Sequence, residues 1–262
     1  MAYYLRVLRV VGGIEFKAKY AGAALGYLWS LAKPLAYFGV LWLVFAHLLR
    51  TSNQTDNFTI FLLMGILLYW FFVDSVSAML PSVVERGSIL RRLAFPAILV
   101  PLSASIGICV TFFANTSAIA VFIAADRVTP HPVWLVLPLL LVELYVFSVG
   151  VGLLLAALFV RFRDVGQVWD LASQLLFFAS AVFYPIGIVP EWAQKVAFLN
   201  PFLQIMQDAR HVVLGSSGPN DLSVTDVYGA WGRLFSIAIV ALVFVAGIGL
   251  FRRESRFFAE RV

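Results

Sequence analysis

Apolar residues fall in six long blocks, at about 28–49, 58–80, 97–125, 133–159, 166–187 and 231–251, separated by short polar stretches. Each block is near the ~20 residues that carry an α-helix through a hydrocarbon layer roughly 30 Å thick. The pattern predicts an all-α integral membrane chain of six transmembrane helices, organised as one domain over residues 1–262. Ahead of the first block, Tyr4, Val7, Val11, Ile14, Ala18, Ala21 and Leu25 recur at three- and four-residue steps, while Arg6, Arg9, Gly13 and Lys17 fall elsewhere around the helix. That spacing predicts an amphipathic interface helix over residues 1–26, with Glu15 and Lys19 as an i,i+4 pair. An ordinary lead-in helix is the plainer alternative.

Between the fifth and sixth blocks, Tyr184 to Gly215 is too long for a turn and too apolar for a free loop. Pro190-Glu191-Trp192 opens one short helix. Asn200 as cap and Pro201 at the first helical position open a second, which Gly215 ends. Two short, half-buried re-entrant helices on the outer side are expected. Backbone that leaves the helix at membrane depth has to be buried in protein or face a water-filled cavity, which marks this segment as a lid over an exit path.

Composition supports the membrane reading. Of 262 residues 62% are hydrophobic, against roughly 45–50% in soluble domains. With an even number of spans, Arg6, Arg9, Lys17, Lys19, Lys33, Arg86, Arg91, Arg92, Arg161, Arg163, Arg252, Arg253, Arg256 and Arg261 share one side. Only Arg50, Arg127, Lys195, Arg210 and Arg233 lie opposite. The excess places both termini in the cytoplasm. A formal charge of +5 is explained by anionic lipid at that face and gives no reason to invoke nucleic acid. The lone Cys109 excludes an intrachain disulfide, and His47, His131 and His211 lack ligand spacing, so no metal site is expected.

The stretch Val84-Glu85-Arg86-Gly87-Ser88-Ile89-Leu90-Arg91-Arg92-Leu93-Ala94-Phe95-Pro96 closely resembles the permease subunits of type-2 ABC exporters, in particular those that export polysaccharides, O-antigens and teichoic acids. Gly26-Tyr27-Leu28-Trp29 with Lys33-Pro34-Leu35, Arg161-Phe162-Arg163-Asp164, and Tyr184-Pro185 with Asn200-Pro201 and Arg210 continue the resemblance in order along the chain. It implies a homodimer working with two copies of a cytoplasmic ABC ATPase in the bacterial inner membrane, moving a lipid-linked glycan outward. It further implies that residues 82–95 form a cytoplasmic coupling helix, with Glu85, Arg86, Ile89, Leu90, Arg91, Arg92 and Phe95 as contacts. A loop combining arginines with apolar anchors suits such a partner, although arginines there also enforce topology on their own.

No G-x-x-x-x-G-K followed by Ser or Thr is present, so ATP and Mg are expected on the partner subunit and no cofactor on this chain. Nucleophile-elbow and zinc-protease motifs are also absent, so no catalytic residue is expected. Four ionisable residues, Lys33, Asp74, Glu143 and Asp170, fall within or at the edges of spans. Such residues face a bundle interior or a cavity. Lys33 and Asp170 lie near the cytoplasmic edge, within reach of water. Glu143 has no partner in sequence and either bonds a neighbouring helix, sits protonated or serves transport. Ser148, Gly152 and Ala156 put small residues four apart on the fourth span and allow close helix packing. Trp169, Ser173, Phe177, Ser180 and Tyr184 share a face of the fifth span, and Trp29, Lys33 and Tyr37 form a shorter stripe on the first. Flat rings and exchangeable hydroxyl contacts suit a sliding sugar chain, and the resemblance implies a conduit along these two helices. Interface placement of Trp and Tyr is the rival explanation. The nearest alternative function is a type-2 exporter of drugs or small lipids; a membrane-embedded transferase is further off.

Overall fold

The computed structural model describes residues 28–48, 57–87, 96–126, 128–215 and 222–258. The expected interface helix over residues 1–26 lies outside them. Among the described residues all regular structure is helical. Four helices among the described residues are long and apolar enough to cross a membrane: Phe58–Met79, Leu99–Ala125, Pro132–Arg161 and Gly232–Phe257.

The first apolar block forms α1 (Leu28–Trp42) and continues as a π-helical turn over Leu43–Leu48. The second forms α2 (Phe58–Met79), which is apolar on every side and buried along nearly its whole length, as expected of a helix surrounded by protein rather than lipid. A short α3 (Ser82–Glu85) follows. Then come α4 (Leu99–Ala125) and α5 (Leu137–Arg161), the latter entered through a 3₁₀ turn at Pro132–Val136. Helices α1, α4 and α5 pack around α2, which makes it the central pillar of the bundle.

The fifth block departs from the expected span of 166–187. Helix α6 (Val165–Ala179) has 15 residues, about 22 Å at 1.5 Å per residue, and the chain then turns. Ala181 takes a left-handed φ of 52°, costing an L-residue roughly 1–2 kcal/mol. Tyr184-Pro185 leads into a 3₁₀ turn at Ile186–Ile188. The carbonyls that the broken helix leaves unpaired are taken up by a side chain from α8, described below.

Both short helices before the last block start where the sequence predicts. Helix α7 (Glu191–Ala197) follows Pro190, and α8 (Pro201–Leu214) is capped by the Asn200 side chain, which accepts from the Phe202 amide at 3.0 Å. Gly215, with φ 70°, ends α8 as expected. Rather than half-buried, α8 is enclosed on all sides from Pro201 through Arg210. It packs on α2 and α5; Arg210 is hydrogen-bonded and Asp208 ion-paired, while Gln204 and Gln207 each use one end of the amide, Nε2 to the Phe198 carbonyl and Oε1 to Arg210.

Helix α9 (Val224–Tyr228) carries a capping box between Ser223 and Asp226 and leads through Gly229–Trp231 into α10 (Gly232–Glu254). Helices α10 and α5 run packed together. At their crossing a Cβ on Gly150 would lie 2.8 Å from the Phe244 Cα, and one on Gly247 would strike the Gly150 carbonyl, so the two backbones touch. The predicted stripe of small residues on α5 is buried at Ser148, Gly152 and Ala156. Gly152, however, makes room for the Met79 side chain at the end of α2.

Candidate functional site

A groove of about 1040 Å³ lies between α1, α2 and α6. Its lining runs from Lys33 to Leu41 on α1, roughly 12 Å of helix, and on to Phe45 in the π-helical turn. One end is polar, with Lys33, Asp74, Ser77, Asp170 and Gln174; the other is aromatic and aliphatic, with Val40, Phe45, Phe177, Phe178 and Phe183. The change of character follows helix spacing. Trp70, Asp74 and Ser77 sit at steps of four and three on α2, and Asp170, Ser173, Gln174 and Phe177 do the same on α6, so each set shares a face.

At the polar end Lys33 Nζ lies 3.8 Å from Asp74 Oδ1 and 3.6 Å from the centre of the Trp70 ring. The lysine is thereby held by one charge and one ring face, both contributed by α2. Further along, Tyr37 meets Trp70 edge-on at 5.2 Å and Phe177 at 6.5 Å, while Phe177 stacks on Phe183 at 5.5 Å. The far wall is thus an unbroken series of rings from three segments.

Two hydrogen bonds help to fasten α6 to α2. Trp169 Nε1 donates to Ser77 Oγ at 2.9 Å, and the Tyr69 hydroxyl donates to the Ser173 carbonyl. These contacts divide the predicted stripe. Ser173 and Phe177 line the groove, as do Lys33 and Tyr37. Trp169 is instead buried against Phe72, with the ring centres 5.9 Å apart. Ser180 is fully buried and accepts from Asn200 Nδ2 at 3.0 Å. Tyr184 folds back to donate to the Phe178 carbonyl at 2.9 Å, and Trp29 is exposed near the start of α1. Sequence reasoning missed the contribution of α2 to the lining. The signal was the row Trp70, Asp74, Ser77 in an otherwise apolar block.

Beyond the aromatic end, the break in the fifth span is fixed by Arg210. Its side chain is wholly buried. It donates to the carbonyls of Phe61 at 3.1 Å, Ala181 at 3.1 Å and Val182 at 2.6 Å, and to Gln207 Oε1 at 2.8 Å, with its guanidinium 3.6 Å from the Phe61 ring centre. A planar five-donor fork is the side chain able to do this. Space for it comes from Gly65, where an added Cβ would collide with the guanidinium and come within 2.6 Å of the Val182 carbonyl.

Glu143, which has no partner in sequence, bonds a neighbouring helix, α10: Arg233 Nη2 lies 3.3 Å from Glu143 Oε2, and Ser236 Oγ donates to Oε1 at 3.1 Å. Arg233 also pairs with Asp208 of α8. Helices α5, α8 and α10 are therefore joined by one guanidinium between two carboxylates.

Of the expected coupling contacts, Glu85 is exposed at the end of α3 and Arg86 Nη1 donates to Ser103 Oγ on α4 at 3.2 Å. Ile89, Leu90, Arg91, Arg92 and Phe95 lie outside the described residues. Among the described residues no group of three or more His, Cys, Asp and Glu side chains is placed to hold a metal ion.

Comparison with known proteins places this architecture. The chain is 26% identical to the O-antigen export system permease protein RfbA of Klebsiella pneumoniae, over 83% of each chain. It is 27% identical to the RfbA of Myxococcus xanthus, over 73% of this chain and 74% of that one. Identity is 23% with the capsule polysaccharide export inner-membrane protein CtrC of Neisseria meningitidis, over 94% and 92%. A multi-pass membrane protein related to permeases of polysaccharide export systems, it matches the ABC-2 type transporter family over residues 6–214, which take in every wall of the groove, and it belongs to that family.

Proposed function

We propose that the chain is the permease subunit of an ATP-driven exporter that moves a lipid-linked polysaccharide from the cytoplasm across the bacterial inner membrane. The observation that carries the reading is the groove: a polar mouth at Lys33, Asp74 and Asp170 passes into a wall of aromatic rings. Rings accept the apolar faces of sugars, and short polar side chains exchange hydrogen bonds without trapping the chain. The names of the relatives, O-antigen and capsule polysaccharide export proteins, support the same class of cargo.

In this reading six segments cross the membrane with both termini cytoplasmic. The four long helices are joined by α1 with its π-helical extension and by α6 with the turn after it. Helices α7 and α8 enter from the outer side as re-entrant elements, and Arg210 fixes the outer end of the conduit. Trp29, Lys33, Tyr37, Trp169, Ser173, Phe177, Ser180 and Tyr184 belong to the path or to the helix faces that frame it. Two copies of the chain pair, and each receives an ATPase subunit that binds ATP and Mg; this chain contributes no catalytic residue. The ATPase pushes on the loop holding Glu85, Arg86, Ile89, Leu90, Arg91, Arg92 and Phe95, and that push parts the first and fifth spans. The amphipathic segment over residues 1–26 guides the lipid end of the cargo.

The test is charge reversal of the loop. Arg91→Glu with Arg92→Glu is expected to leave ATP hydrolysis running while export stops in vesicles containing both subunits. Export that stays coupled to hydrolysis removes the loop from the mechanism.

A further inference from the structure

Among the described residues the groove is lined by two carboxylates, Asp74 and Asp170, and one ammonium, Lys33. The ammonium is already engaged, 3.8 Å from Asp74 and over the Trp70 ring at 3.6 Å. Asp170 is exposed on the opposite wall, contributed by α6. Among the described lining residues, Asp170 is thus a carboxylate on the wall facing the Lys33–Asp74 pair. Carboxylate oxygens only accept hydrogen bonds. They match the hydroxyls of a neutral sugar and are mismatched to the acceptor-only carboxylate or phosphate of an acidic one. Because Asp170 is exposed, the repulsion acts through solvent and is screened by salt.

Resting on the glycan-export reading above, we propose that the groove selects polysaccharides whose repeating unit is uncharged, with Asp170 as the specificity-determining residue and Asp74 offsetting the Lys33 charge that would otherwise welcome an anion. Selectivity of this kind is a difference of affinities in which the unfavourable partner is rejected by an unpaired like charge. An anionic group at the lipid end passes the groove once, whereas an acidic repeat meets Asp170 at every step.

The experiment uses the permease with its ATPase subunit in nanodiscs and two probes on the same scaffold: an oligogalacturonate and the same oligomer after reduction of its carboxylates to alcohols. Binding is read from tryptophan fluorescence as the signal lost in Trp70→Phe, since Trp70 lies in the groove wall. The neutral oligomer is expected to bind about tenfold more tightly at low salt. The gap should close as salt is raised, shrink in Asp170→Asn and reverse in Asp170→Lys. Equal or tighter binding of the acidic oligomer to the unsubstituted protein overturns the selectivity while leaving a glycan path standing. A preference that Asp170→Lys does not alter removes the role of Asp170. If neither oligomer binds, the glycan reading fails and the selectivity with it. The salt dependence of the unsubstituted protein keeps the test decisive even where a substituted chain fails to fold.

Discussion

Replacing Arg210 with Met keeps the bulk of the side chain and removes its donors. The Phe61 carbonyl lies inside α2 and has an intrahelical donor, but Ala181 and Val182 sit beyond the end of α6, where no helical ladder continues. Their carbonyls would be left buried and unpaired at about 1–3 kcal/mol each. Loss of the guanidinium above the Phe61 ring adds about 2 kcal/mol at a desolvated site. Against this stands the several kcal/mol recovered by no longer burying a charge. The cost outweighs the recovered desolvation by roughly a few kcal/mol, a large share of the 5–15 kcal/mol of a typical domain, and it falls mainly on residues 180–189. Hydrogen exchange of the purified protein reads this directly: amides of 180–189 should lose protection well before those of α2. Arg210→Lys, which retains charge but not the fork, should fall between. Unchanged protection in 180–189 together with an unchanged melting temperature in Arg210→Met would refute the assignment of Arg210 as the anchor of the broken span.

Other outcomes follow from the same packing. Gly65→Ala puts a methyl where the guanidinium lies, so it should expose the same segment, and its effect should not add to that of Arg210→Met in a double-mutant cycle. Gly247→Leu drives a side chain into the Gly150 backbone; the melting temperature should fall by more than the 1–3 kcal/mol usual for overpacking would give, because backbone cannot step aside. Arg233→Met leaves the Glu143 and Asp208 carboxylates without their shared cation. It should cost about 3–5 kcal/mol, recovered in part by Arg233→Lys, as read by thermal unfolding. Asp226 is held below the ordinary carboxylate range by the Ser223 hydroxyl, helped by the Ser223 amide and by His211 and opposed by partial burial. Because the folded value is the lower one, its contribution is complete above about pH 4 and is lost as the pH falls through that lower value. Exchange at residues 223–226 should rise over that range in the parent protein and show no such rise in Asp226→Asn.

The long helices were legible because a hydrocarbon layer demands long apolar blocks, and α2, α4, α5 and α10 satisfy that demand within themselves. The two short helices could be read from local chemistry alone: Asn200 with Pro201 to open, Gly215 to close. What escaped the sequence depends on partners far along the chain. The early end of α6 is set by Arg210, which meets Ala181 and Val182 only after the chain has folded back on itself. Glu143 looked partnerless because Arg233 lies 90 residues away. The aromatic stripe on the fifth block was half legible for a similar reason. Phe177 has no polar tip and stays at the groove, whereas Trp169 and Ser180 each find a hydrogen-bond partner, in Ser77 and Asn200, that draws them into the bundle. Asp74 marked α2 as turned toward an interior or a cavity, but Trp70 and Ser77 beside it carry no charge, and the helix is apolar all round, so the row they form with Asp74 did not stand out as a wall.

The central claim is that this chain is a polysaccharide permease driven by a separate ATPase, and inverted vesicles containing the two subunits test it most directly. With radiolabelled lipid-linked glycan supplied on the outside, the face that corresponds to the cytoplasm, label should accumulate in the lumen only when ATP and both subunits are present. It should stop when Tyr37 and Phe177 are replaced by Ala so that the ring wall is lost. Glycan that enters without ATP or without the ATPase, or that is never carried by the complete assembly, would contradict the account.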